Sequence, residues 1–165
     1  MKKVMKFIAI ALVVVFVLIQ FYPRASKNQD SSTAFDISRI HYVPDSVQQI
    51  LKTSCYDCHS NNTYYPWYSN IQPVSYWLND HIVEGKKELN FSAFATYKVA
   101  RQFKKMKEIA KEVKEDEMPL PSYTNIHRNA KLNAQQKLAL TSWANMLKDS
   151  MQNAYPPDSL IAKKK

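Results

Sequence analysis

Apolar residues recur at helical spacing in four stretches of this chain, and no strict alternation runs long enough to make a sheet. The first stretch follows Pro44, where Asp45 is placed to cap a helix with Gln48 three residues on. Val47, Ile50 and Leu51 form its stripe, and it runs straight into Cys55. A second helix is expected over about 74–84, stopped by Gly85, with Trp77, Leu78, His81 and Ile82 on one face. The third spans roughly 97–115, with Val99, Phe103, Met106, Ala110 and Val113 as its stripe. Lys104 with Glu108 and Lys111 with Glu115 can pair on its outer face, and Pro119 terminates it. The fourth starts near Asn133, an N-cap with Gln136 at the third position, and carries Leu140, Trp143, Ala144, Leu147 and Met151. The pattern predicts an all-α bundle of about four helices.

The N-terminal hydrophobicity is of another kind. Lys2, Lys3 and Lys6 precede an unbroken apolar run from Phe7 to Ile19, followed by Gln20, Phe21 and Tyr22. Residues 1–22 therefore read as a signal anchor, a transmembrane helix roughly 24 Å long with Tyr22 and Arg24 at the far interface. Bulky residues and Pro23 stand where a cleavage site needs small ones, and no cysteine offers a lipid attachment point. By the positive-inside rule the expectation is a single-pass protein of the bacterial inner membrane, with the rest of the chain on the periplasmic side. Residues 23–42 are expected to be a tether, 43–150 the folded domain and 151–165 a flexible basic tail containing Pro156 and Pro157.

A length of 165 residues suits one domain with a modest core. The single glycine, Gly85, leaves no Gly-rich phosphate loop or dinucleotide turn. The net charge of +9 is concentrated at the two ends, where Lys2, Lys3, Lys6 and Lys163, Lys164, Lys165 supply six of the positive charges. The remaining basic residues are interleaved with acids, which speaks against a nucleic-acid surface.

Chemistry is concentrated in Cys55-Tyr56-Asp57-Cys58-His59. This is the C-x-x-C-H pattern of covalent haem c attachment, in which two thiols add to haem vinyl groups and the adjacent imidazole coordinates iron. The spacing lets both sulfurs reach one side of the macrocycle while the histidine turns under its centre. Two other readings stand beside it. A thioredoxin-like dithiol expects a βαβ surround that the pattern lacks, and half a zinc site would need its other ligands from scattered histidines, since the chain has two cysteines in all.

His59 would fill one axial position of the iron. For the other, Met118 lies in Glu117-Met118-Pro119-Leu120-Pro121, where two prolines break the helix and present the thioether on an extended loop. His/Met ligation is the pairing of cytochromes c. His81, on the inward face of the second helix, is the alternative distal ligand, or else a core histidine bonded to a carbonyl. The aromatic run Tyr64-Tyr65-Pro66-Trp67-Tyr68 can cover a haem plane and bond its propionates, or simply pack in the core.

Over about 43–147 the chain resembles the bacterial haem-binding domain family, known largely from membrane-anchored proteins. The resemblance rests on Cys55 through Asn61, Tyr65-Pro66-Trp67-Tyr68, Pro73-Val74-Ser75, His81, Glu84-Gly85, Leu89-Asn90-Phe91-Ser92 and Glu117 through Tyr123. It implies a cytochrome c-like domain around one covalent haem, with Cys55, Cys58 and His59 at the attachment motif and Met118 where a distal methionine is expected. Family members often have His-Pro near position 127, where this chain has His127-Arg128.

The function expected from these residues is one-electron transfer to redox partner proteins, which needs no catalytic residue. The alternatives are a peroxidase-like haem enzyme with an open distal site, in which His81 serves as acid or base, and a redox or gas sensor.

Overall fold

A computed structural model describes residues 1–30, 32 and 34–161. Ser31 and Thr33 of the expected tether, and residues 162–165 of the expected tail, lie outside the described residues. Among the described residues, seven α-helices and five short 3-10 turns follow one another: α1 (Lys2–Ile19), α2 (Asp45–Ser54), α3 (Tyr56–His59), α4 (Val74–Glu88), α5 (Val99–Lys114), α6 (Pro121–Thr124) and α7 (Ala134–Ala154). The four expected bundle helices correspond to α2, α4, α5 and α7. Among the described residues the one β feature is an isolated bridge between Gln29 and Asn62.

The anchor expected at 1–22 is overturned. No helix among the described residues is long and apolar enough to cross a membrane. Lys2, Lys3 and Lys6 all lie inside α1, so its uninterrupted apolar part, from Phe7 to Ile19, measures roughly 20 Å against a hydrocarbon core of ~30 Å. The helix also stops short of Tyr22. Gln20 caps it and is held by the chain before α4, its side-chain amide donating to the Gln72 carbonyl at 3.0 Å and its oxygen accepting from the Gln72 N–H at 3.0 Å. A transmembrane helix ahead of the bundle, and the single-pass inner-membrane and periplasmic placement read from it, are therefore without support.

The core is built where α5 and α2 pack on α7. All five residues of the expected α7 stripe are buried, and the Asn133–Gln136 capping box forms in both directions, at 2.9 Å each. Trp143 satisfies its indole N–H on the Tyr42 carbonyl at 3.0 Å, so a large ring is buried without an orphaned donor. In α2 the expected Val47, Ile50 and Leu51 are buried, together with Ser54, although Asp45 is the first helical residue and makes no side-chain cap.

The inward face of α5 is rotated from the expected stripe. Met106 and Val113 are buried, but with Gln102, Lys105 and Ile109 in place of Val99, Phe103 and Ala110. Lys105 is tolerated there because its ammonium reaches Glu88 at 3.2 Å and Glu108 at 2.6 Å. The helix ends before Pro119, at Glu115. Asp116 takes a left-handed conformation (φ 62°), and the N–H groups of Glu117 and Met118 both return to the Glu112 carbonyl. At the C-terminal end, Met151 is buried in α7, which runs on to Ala154, and the turn Pro157–Leu160 packs on α5.

Candidate functional site

The C-x-x-C-H segment sits at a helix break. Cys55 is the last cap of α2 and the first of α3, with φ −127° and ψ −41°, and the Cys58 and His59 N–H groups both turn back to its carbonyl. One turn thus carries Cys55 and Cys58 as free thiols and ends on His59. Burial raises both thiols, Cys55 to about 12 with the neighbouring Cys58 adding to the effect, and Cys58 to about 11 with Asp57 adding. A dithiol oxidoreductase needs the opposite, a thiol pushed down towards thiolate. Zinc fares no better, since among the described residues no group of three or more His, Cys, Asp or Glu side chains is placed to hold a metal ion.

His59 is oriented by α4. Its Nδ1 lies 2.9 Å from the Gly85 carbonyl and 2.9 Å from the Leu89 carbonyl. Carbonyls accept only, so Nδ1 carries the proton and Nε2 keeps its lone pair. Burial lowers the pKa of the ring, while the two carbonyl bonds partly oppose that. A neutral imidazole with its far nitrogen fixed on backbone carbonyls is the form that ligates a metal.

Gly85 explains how α4 comes this close. A Cβ built there would stand 2.8 Å from the Cys58 carbonyl oxygen and 3.1 Å from the Cys58 Cβ. The expectation that Gly85 stops the second helix is therefore corrected. The helix runs on to Glu88, and the missing side chain serves the approach of α4 to the motif, not a turn.

Two clefts meet at this motif. A smaller one of about 270 Å³ is bordered by Cys55, Cys58, His59, His81, Met118 and Tyr123. A larger one of about 580 Å³ has an apolar floor including Leu51, Leu89, Phe91 and Leu140, with α5 as its far wall. Cys55, His59 and Met118 border both. The structure therefore brings together all five residues singled out from the sequence. His81 is the least committed of them. It is half-exposed, its Nδ1 lies 2.9 Å from the Trp77 carbonyl one turn back, and its ring rests against Trp77 at 4.2 Å.

The aromatic run is placed elsewhere. None of Tyr64, Tyr65, Trp67 and Tyr68 borders either cleft, and Tyr64 and Trp67 are 71% and 76% exposed. Tyr68 instead bonds His127 through its hydroxyl, and His127 stacks on Tyr123 at 4.4 Å between ring centres. Tyr123 donates to Asp57 at 2.6 Å, which closes a chain of contacts from the loop after Met118 back to the motif. Sequence reasoning left Asp57, Tyr123 and His127 without this role. The signal available was an acid inside the motif and a tyrosine in the segment Glu117 through Tyr123.

The arrangement offers two thiols, a lone-pair imidazole and a thioether around a slot with an apolar floor, which suits a flat apolar ligand with a soft metal centre. No curated protein and no solved structure matches the chain. A family model described as a haem-binding domain matches residues 14–146, which takes in every residue of the slot. On that match, and with a site of this composition inside it, the chain belongs to the haem-binding domain family.

Proposed function

We propose that the protein holds one haem c covalently through Cys55 and Cys58 and passes single electrons to redox partner proteins. The observation that carries this reading is that His59 and Met118 border the same two clefts together with Cys55, with His59 already locked in its ligating tautomer.

Each residue has a definite task in such a site. Cys55 and Cys58 would hold the group covalently, each S–H adding across one vinyl bond so that the sulfur and the proton both end on carbon and no oxidant is consumed. Their protonated state at neutral pH matches this addition of a thiol. His59 presents Nε2 as proximal ligand while Gly85 and Leu89 prevent its rotation. Met118, placed just after the sharp end of α5, would offer its thioether to the iron, a ligand type that favours the ferrous state and raises the potential. When bound, the haem supplies a one-electron couple. The apolar floor of the larger cleft excludes water from it.

A haem enzyme with an open distal site is the second reading, favoured by His81 bordering the smaller cleft with one ring nitrogen unengaged. A pyridine haemochrome spectrum, with the intact mass after acid treatment, tests covalent attachment. The far-red absorption band of methionine-bound ferric iron then tests the ligand set. It is expected in the native protein and absent in Met118→Ala. A high-spin spectrum in the native protein that shifts with carbon monoxide or peroxide would replace the electron-transfer reading with the enzyme or sensor.

A further inference from the structure

The residues around the slot fall in an order. Cys58 borders the smaller cleft alone, Cys55, His59 and Met118 border both, and the α5 residues Lys104, Lys107 and Lys111 border the larger cleft alone. Charge follows the same order. The smaller cleft has Asp57, Asp80, Glu84 and Glu88 on its wall and no Lys or Arg, whereas the larger has Lys104, Lys105, Lys107 and Lys111 with Glu108, Glu112 and the shared Glu88.

These lysines are not equivalent. Lys105 is buried between Glu88 and Glu108, and Lys111 pairs with Glu115 at 3.6 Å. Lys104 shares Glu108 at 3.3 Å with Lys105. Lys107 stands at the rim of the larger cleft with no carboxylate partner among the described residues.

A haem carries its two vinyl groups on one edge and its two propionates on the opposite edge. Resting on the attachment through Cys55 and Cys58 given above, we infer that Lys107, with Lys104 beside it, is the docking site for the haem propionates. A thioether to Cys58 would hold the vinyl edge in the acidic cleft, with His59 and Met118, which border both clefts, available to the iron. The propionate edge then reaches the α5 wall. The reverse orientation would set two carboxylates against Asp57, Asp80, Glu84 and Glu88, of which Glu84 is paired with Lys87 at 3.7 Å and Glu88 with Lys105 at 3.2 Å, while Asp57 and Asp80 have no lysine or arginine partner among the described residues, so like charges repel there. The Tyr64–Tyr68 aromatics, away from both clefts, are not available for this task.

The test uses the holoprotein. Lys107→Gln and the double variant Lys104→Gln/Lys107→Gln are compared with Lys131→Gln, an equal change of charge at an exposed position that borders neither cleft. The propionate bending bands in resonance Raman spectra shift in both cleft variants, more in the double variant, and stay in place in Lys131→Gln. The reduction potential falls in the same order, since removing a cation beside the haem disfavours the ferrous state. Bands unmoved in both cleft variants, or moved instead by Tyr65→Phe, would overturn the assignment. Because Lys104 and Lys107 are exposed, the helical circular dichroism is expected to be unchanged, and a loss of it in both variants would show a structural role and overturn the assignment as well. Failure of the attachment reading is told apart at the outset, because the chain would then lose its haem on acid extraction, and the propionate assignment would fall with it.

Discussion

The Tyr123 hydroxyl donates a 2.6 Å hydrogen bond to Oδ2 of Asp57, joining the short helix α6 that follows Met118 to a residue between the two cysteines. The other oxygen of Asp57 accepts the Tyr64 N–H at 3.0 Å, so one carboxylate is shared by two segments far apart in the chain. Burial and then the Asp57 carboxylate raise the pKa of Tyr123, which keeps the hydroxyl a donor throughout the physiological range.

Tyr123→Phe removes this donor with little change of shape. A hydrogen bond to a charged group contributes about 1.5–3 kcal/mol, so if Met118 is the distal ligand its hold should weaken by roughly 10- to 100-fold. The affinity of the ferric protein for added imidazole is expected to rise by that factor while covalent haem is retained. An imidazole titration with unchanged affinity would show that the tie does not position Met118.

Gly85→Ala separates two opposed expectations. In an exposed helix interior the change would stabilise by roughly 0.5–1 kcal/mol. Here the added Cβ would meet the Cys58 carbonyl at 2.8 Å, and overpacking of this kind costs about 1–3 kcal/mol. A lower midpoint in guanidinium denaturation is expected, together with weaker proximal ligation as the Gly85 carbonyl is displaced from His59. A raised midpoint would mean that α4 and the motif are not packed this closely.

The pH dependence of the haem-free chain follows from the thiols and His59. Folded Cys55 and Cys58 hold their protons to about 12 and about 11 against an ordinary value of 9.0, so above pH 9 the unfolded chain binds fewer protons than the folded one. Stability is then lost as pH rises from 9, through about 11 for Cys58 and about 12 for Cys55. His59 acts at the other end. Its pKa is lowered from 6.5 in the fold, so the unfolded chain binds more protons below that value and stability falls on acidification. Urea midpoints at pH 5.5, 7.5 and 10 should peak at the middle value. Alkylation of the thiols by iodoacetamide at pH 8 should be slow until urea unfolds the chain.

Trp143→Ala empties a buried site between α7 and its neighbours and leaves the Tyr42 carbonyl without its donor. A loss of about 3–5 kcal/mol is expected, read as a fall in thermal midpoint. Trp143→Phe, which keeps most of the ring volume, should lose less.

Much of the fold was legible along the chain because its signals are local. The α7 stripe and its capping box depend on spacing within one helix, as does the order α2, α4, α5, α7, and the structure reproduces these. Errors came where distant groups compete with the local signal. The end of the third helix was read near Glu115, where it is, but Pro119 was given as its terminator, whereas the left-handed Asp116 and the returning N–H groups of Glu117 and Met118 close it first. The N-terminal run was read as a membrane helix from its apolar content, but Gln20 is captured by Gln72 and the lysines lie within α1. Lys105 in a core stripe could not be foreseen without Glu88, which comes from another helix.

By itself the sequence determined that the chain is helical, that Cys55, Cys58 and His59 share one turn and that Met118 follows the end of a helix. Periodicity, proline placement and the C-x-x-C-H spacing act over a few residues and need no knowledge of the rest. Only the tertiary structure decided that Gly85 admits α4 against Cys58, that two carbonyls of that region set the His59 tautomer, and that the α5 lysines rather than the Tyr64–Tyr68 aromatics face the slot. The reason is physical. A tautomer, a close approach and the charge around a cavity are set by groups distant in sequence, and packing is what brings them within a few ångströms.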